Sequence, residues 1–122
     1  MKRNYFIYIG LFLTVLITVG SLIPPKKVVE VKVPSFDKVI HFGAYFLLAL
    51  SWLLASAKKS KDVKYALTVA FLVVVYGIII EGLQATLTTV RQADIYDILA
   101  NFTGVLVALL VFSKVLQKIN VK

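Results

Sequence analysis

The sole histidine, His41, lies one helical turn inside an apolar run that opens on Asp37 and Lys38, in the stretch DKVIHFGAYF. Glu81 stands near the end of a second such run with Gln84 three residues on, and Asp97 and Asn101 stand near the start of a third, after Arg91. Carboxylates, an imidazole and basic groups of this kind can move protons, ligate a hard cation or bind a ligand's phosphate or carboxylate. An acid inside an apolar run must pair or take up a proton, and the partners open to Glu81 are Lys38, His41 and Arg91. His41, Glu81 and Asp97 are therefore the candidates for catalysis. The side chains expected to meet a ligand are Asp37, Lys38, His41, Tyr45, Glu81, Gln84, Arg91, Asp97 and Asn101.

The elements that must position these groups follow from composition. Of 122 residues, 60% are hydrophobic and 16% charged, and the mean hydropathy is +0.90, far from the balance of a soluble domain. The expected fold is all-α, a four-helix transmembrane bundle forming one domain over residues 1–122. Each span needs roughly 20 apolar residues, and four such runs occur, near 5–23, 36–56, 65–84 and 95–113.

The first run follows Met1-Lys2-Arg3 and stops at Pro24-Pro25, where a helix cannot continue. A secretory signal has a shorter apolar core, about 7 to 15 residues, and a small-x-small cleavage site. This run is longer and lacks such a site, so a retained helix is expected. The segment PPKKVVEVKVPS alternates valine with charge and reads as extended or interfacial. Ser35 is a candidate N-cap for the second span, with Asp37 in its first turn where a carboxylate suits the positive helix end. Lys58, Lys59, Lys61 and Lys64 close that span, and a basic tail with Lys114, Lys118 and Lys122 follows the fourth.

With four spans, the two termini and the connection between spans two and three share one side of the membrane. Nine of the 14 basic residues fall on that side and five on the other, which predicts cytoplasmic N- and C-termini and a multi-pass protein of the bacterial cytoplasmic membrane. The net charge of +8 is explained by these juxtamembrane residues. No aromatic and basic residues interleave in an RNA-binding manner, so nucleic-acid binding is not expected. The chain has no cysteine, which excludes disulfides and thiolate metal sites.

Helical spacing gives each polar span one stripe. Asp37, His41 and Tyr45 recur at i, i+4 and i+8; Glu81, Gln84 and Thr88 at i, i+3 and i+7; Asp94, Asp97, Asn101 and Gly104 at i, i+3, i+7 and i+10. Because Glu81 is costly against lipid, the stripes should face one another and form a pocket at the extracytoplasmic end. Gly43, Gly82 and Gly104 would let backbones approach closely around it. Taken singly, the same residues have plainer explanations: Asp37 and Lys38 as interfacial anchors, His41 and Asn101 as interhelical bonds, Tyr45 as packing.

The pattern Asp37-Lys38-x-x-His41-Phe42-x-x-Tyr45, with Glu81-x-x-Gln84, Arg91 and Asp97-x-x-x-Asn101-x-x-Gly104, resembles the VanZ-like family of small bacterial membrane proteins. The resemblance runs from about Ser35 to the end of the fourth span; the first span fits by position. It implies a cell-envelope protein, in a family named after a member associated with low-level resistance to the lipoglycopeptide teicoplanin, and it implies no settled chemistry. Members often have a small residue such as glycine shortly after the arginine, where this chain has Gln92-Ala93-Asp94.

Three functions are compatible with these residues. In the first, the pocket recognises the polar part of a membrane lipid, a lipid-linked envelope precursor or an acylated glycopeptide, with Lys38 and Arg91 on phosphate or carboxylate and apolar walls on the chain. In the second, the protein is an intramembrane enzyme, with His41, Glu81 and Asp97 acting on a lipid head group. No close histidine pair, cysteine or nucleophile motif supports this, so spacing signals no metal site and no cofactor. In the third, the cluster is structural and a partner does the chemistry. Oligomeric state is not encoded in any feature of the sequence.

Overall fold

A computed structural model of the chain describes residues 3–22, 36–87 and 95–120. They form α1 (Arg3–Leu22), α2 (Phe36–Ala55), a single turn α3 (Ala57–Ser60), α4 (Val63–Leu87) and α5 (Ile95–Asn120). Four of these helices are long and apolar enough to cross a membrane, which agrees with the all-helical fold and four spans expected. In hydrocarbon every backbone group must be satisfied within its own segment, and a helix does so. Hydroxyls follow the same rule. Thr14, Ser51 and Thr103 each donate to the carbonyl four residues back, at 2.7, 2.7 and 2.8 Å.

Helix boundaries differ from the expected spans where polar residues continue a helix that hydropathy alone would end. α5 runs on through Lys114 and Lys118, since no glycine or proline interrupts it. α4 starts two residues early because Asp62 caps it: its carboxylate accepts from Lys64 N at 3.0 Å, and its carbonyl accepts from Ala66 N. The extra turn α3 fills the short connection between α2 and α4. The expected Ser35 cap and the segment 24–35 lie outside the described residues.

α2 is the centre of the bundle. Its most extensive packing is against α5, and it also touches α1 and α4. α2 and α5 run parallel, so their N-terminal ends lie side by side, with Glu81 near the C-terminal end of α4 close to both. Lipid tails are as apolar as leucine, so close packing rather than apolar burial must hold such helices together, and small residues permit it. Ala49 and Ala108 are fully buried, beside Tyr45, Leu48, Ala70, Val73 and Val105. Leu53, Ala66 and Phe112 form a second buried group toward the end that carries α3. At Gly104 a Cβ would overlap the Phe42 carbonyl and press on Phe46 N, so a glycine there sets how near α5 comes to α2.

Gly43 and Gly82 do not have the expected role. A Cβ at either meets nothing within 4 Å, because both sit away from the helix contacts. The close approaches are at Gly104, Gly77 and Gly10, the last of which lies 2.8 Å from the Trp52 ring when given a Cβ.

α1 is the most peripheral span, with Tyr8, Phe12, Val15 and Leu16 all exposed on its outer face. It is fastened by polar contacts as well as packing. Trp52 Nε1 donates to Thr14 Oγ1 at 3.2 Å, and Tyr76 OH, on α4, reaches Thr14 O at 3.1 Å and pairs with the Thr18 hydroxyl.

Candidate functional site

The N-terminal turns of α2 and α5 meet the last turns of α4, and the polar stripes converge there. Lys38 Nζ lies 2.9 Å from Asp97 Oδ1. This oxygen is buried, with the Lys38 ammonium as its ionic partner. His41 Nε2 is 3.7 Å from Asp97 Oδ2, and His41 Nδ1 is 3.2 Å from Asn101 Oδ1. Glu81 is 2% exposed and completes the group. One ligating atom from each of His41, Glu81 and Asp97 lies within 4.8 Å of the others.

Each side chain is placed by its helix register. Lys38 and His41 are three residues apart on α2, and Asp97 and Asn101 four apart on α5, so each pair shares a face. Because α2 and α5 are parallel and held close at Gly104, the two faces meet at the same depth. Asp97 also occupies the first turn of α5, where a carboxylate complements the positive helix end.

The expected residues fall into three groups. Lys38, His41, Glu81, Asp97 and Asn101 come together directly. Tyr45 is buried one turn deeper, its ring packed toward Tyr76 with centroids 6.1 Å apart, so it forms the floor of the cluster. Asp37 and Gln84 belong to the backbones of α2 and α4, but their side chains, and the whole of Arg91 and Asp94, lie outside the described residues.

Gly77 is a site residue that the stripes did not reveal. A Cβ there would stand 3.0 Å from Tyr45 Cε2 and 3.3 Å from Asn101 Nδ2, so the glycine makes room for both groups against α4. Its signal in the sequence is its position four residues before Glu81, on the same helical face, in a helix interior where glycine is unfavourable.

The electrostatics define what the cluster can do. Among the described residues, two buried carboxylates face one ammonium and one imidazole. Grouped in this way, the carboxylates and the imidazole could hold a ligand's cationic group or a metal ion. A hard cation suits carboxylate and imidazole ligands, and the Asn101 contact on Nδ1 would then orient the ring from behind. Spacing along the chain could not signal such a set, because its three members come from three helices. Lys38, with 31% of its side chain exposed, links the buried acids to the surface, where it can meet an anion.

Comparison with curated proteins and with solved structures returns no match. A family model described as VanZ/LLP1 matches residues 4–117, which takes in α1 and reaches well into the last turns of α5. The matched region takes in all four apolar helices, and the chain is a multi-pass membrane protein belonging to the VanZ/LLP1 family.

Proposed function

We propose that this chain is a cell-envelope protein of the bacterial cytoplasmic membrane whose polar pocket opens to the extracytoplasmic side and recognises the head group of a lipid-linked or acylated envelope molecule. The observation that carries this reading is the convergence of Lys38, His41, Glu81, Asp97 and Asn101 from three helices at one end of the bundle. Lys38 is partly exposed and held by Asp97, so it is positioned for a phosphate or carboxylate, and the adjoining N-terminal ends of α2 and α5 favour the same sign of ligand charge. Arg91, carried over from the family pattern, would add a second cation. The surrounding lipid-facing walls suit a ligand that arrives within the bilayer, as an envelope precursor or an acylated glycopeptide does.

The family resemblance makes glycopeptide resistance the cellular readout. Teicoplanin and vancomycin susceptibility is measured in a Gram-positive host expressing wild type, Glu81→Gln or Lys38→Met at matched membrane levels. Protection by wild type alone, selective for the acylated drug, supports the reading. Equal susceptibility in all strains removes the resistance role and leaves lipid binding to the purified protein as the test.

The geometry of His41, Glu81 and Asp97 favours a second reading, an intramembrane enzyme acting on a lipid head group. Three ligating groups within 4.8 Å are of the type and number that hold a hydrolytic metal with positions left open. Release of phosphate from a short-chain lipid phosphate on adding Mn2+ or Zn2+, lost in Asp97→Asn, would favour it over simple binding.

A further inference from the structure

A large cavity lies away from the polar cluster, toward the end of the bundle that carries α3. It is a groove of about 690 Å³ between α1 and α4, floored by α2, and its walls include Ile7, Leu48, Trp52, Val69 and Tyr76. That volume falls within the range of small-ligand cavities, about 300–1,000 Å³.

The polar side chains of Thr14, Trp52, Ser56 and Tyr76 in its walls are already engaged. Trp52 Nε1 donates to Thr14 Oγ1, which donates to Gly10 O. Two hydroxyl protons are shared among Thr18 Oγ1, Tyr76 OH and Thr14 O, and Ser56 Oγ donates to Trp52 O at 2.8 Å. What the groove offers an occupant is therefore mainly hydrocarbon surface.

Its length and its mouth specify the occupant further. Along α4 it runs from Tyr65 to Tyr76, eleven residues or roughly 16 Å at the helical rise. This matches one leaflet's share of a hydrocarbon core about 30 Å thick. Lys59 stands at the mouth, its Nζ 6.0 Å from the centre of the Tyr65 ring. Lys61 and Lys64 are exposed nearby. The one acid of this connection, Asp62, has its carboxylate turned to the cap of α4.

We infer that this groove binds one acyl chain of an anionic glycerophospholipid from the leaflet facing the connection between α2 and α4, with Lys59 at its phosphate. The site is independent of the head-group pocket at the opposite end of the bundle, so either can fail without the other.

Trp52 is the only tryptophan in the chain and lines the groove, which makes its fluorescence a direct reporter. The full chain is reconstituted in phosphatidylcholine vesicles containing a rising fraction of phosphatidylglycerol or of phosphatidylcholine, each brominated on the acyl chain. Brominated phosphatidylglycerol is expected to reach half-maximal quenching at a mole fraction roughly fivefold lower, the discrimination that one favourable lysine contact gives. Lys59→Gln should bring the two curves together while quenching persists, and Val69→Phe should reduce quenching by both lipids. Equal curves in the wild type would mean that the groove holds bulk lipid without selection. Absence of quenching by either lipid would mean that another segment or a second copy fills it. Either result overturns the inference.

Discussion

Lys38, near the start of α2, and Asp97, near the start of α5, form an ion pair of 2.9 Å that ties the N-terminal ends of two parallel helices together. The pair lies at the boundary of the cluster: the Asp97 side chain is 10% exposed and that of Lys38 31%. Asp97 Oδ1 is buried and has this ammonium as its ionic partner.

Removing one member should cost more than removing both. Lys38→Met leaves a buried carboxylate short of its cation and should destabilise the protein by about 1–2 kcal/mol, between the small worth of an exposed pair and the larger penalty for a fully buried one. Lys38→Met with Asp97→Leu should recover part of that loss. Reversible unfolding of all four forms in detergent micelles gives the coupling energy; additive effects would show that the pair is not coupled.

The glycines should separate cleanly. Gly104→Ala places a methyl against the Phe42 carbonyl and should lower stability by about 1–3 kcal/mol through overpacking. Gly43→Ala and Gly82→Ala enter open space and should be neutral or stabilising by up to roughly 1 kcal/mol, from helix propensity. Thermal unfolding of the three variants in one detergent checks the order.

Glu81→Gln tests whether the cluster serves the fold or a ligand. The amide keeps the shape of the side chain and removes a charge that is costly in a buried place. A functional carboxylate predicts yield and stability close to wild type with loss of ligand binding. A structural one predicts a fall in both yield and thermal stability.

The attachment of α1 should depend on Trp52. Gly10→Leu would drive a side chain into the indole, and Thr14→Val removes the acceptor of Trp52 Nε1. Each is expected to loosen α1 from α2 while the α2 and α5 pairing persists. Cysteine crosslinking between α1 and α2, set against crosslinking between α2 and α5, reads the two contacts separately.

Much of this arrangement is legible in the sequence because bilayer thickness imposes a strong rule on apolar run length. The rule locates all four spans, and an even number of crossings puts Lys38, His41, Glu81, Asp97 and Asn101 at one end before any contact is known. It does not set helix ends, which depend on capping by Asp62 and on lysines that continue α5 past the apolar stretch. Nor does it reveal which glycines lie at a close approach. Gly43, Gly82 and Gly104 look alike in a helical pattern, and only the rotation of each helix places Gly104 against a neighbour's backbone. The links among Thr14, Thr18, Trp52 and Tyr76 were hidden for the same reason, since threonines in an apolar span commonly bond only to their own helix.

The most direct test of the proposed head-group pocket is equilibrium binding of a fluorescent lipid-linked envelope precursor to the protein in lipid nanodiscs, comparing wild type with Lys38→Met and Gly43→Ala. The account predicts saturable binding to wild type and Gly43→Ala, weakened about tenfold or more in Lys38→Met, as the loss of a charge-assisted contact requires. Binding that does not saturate, or that is unchanged by Lys38→Met, would contradict it.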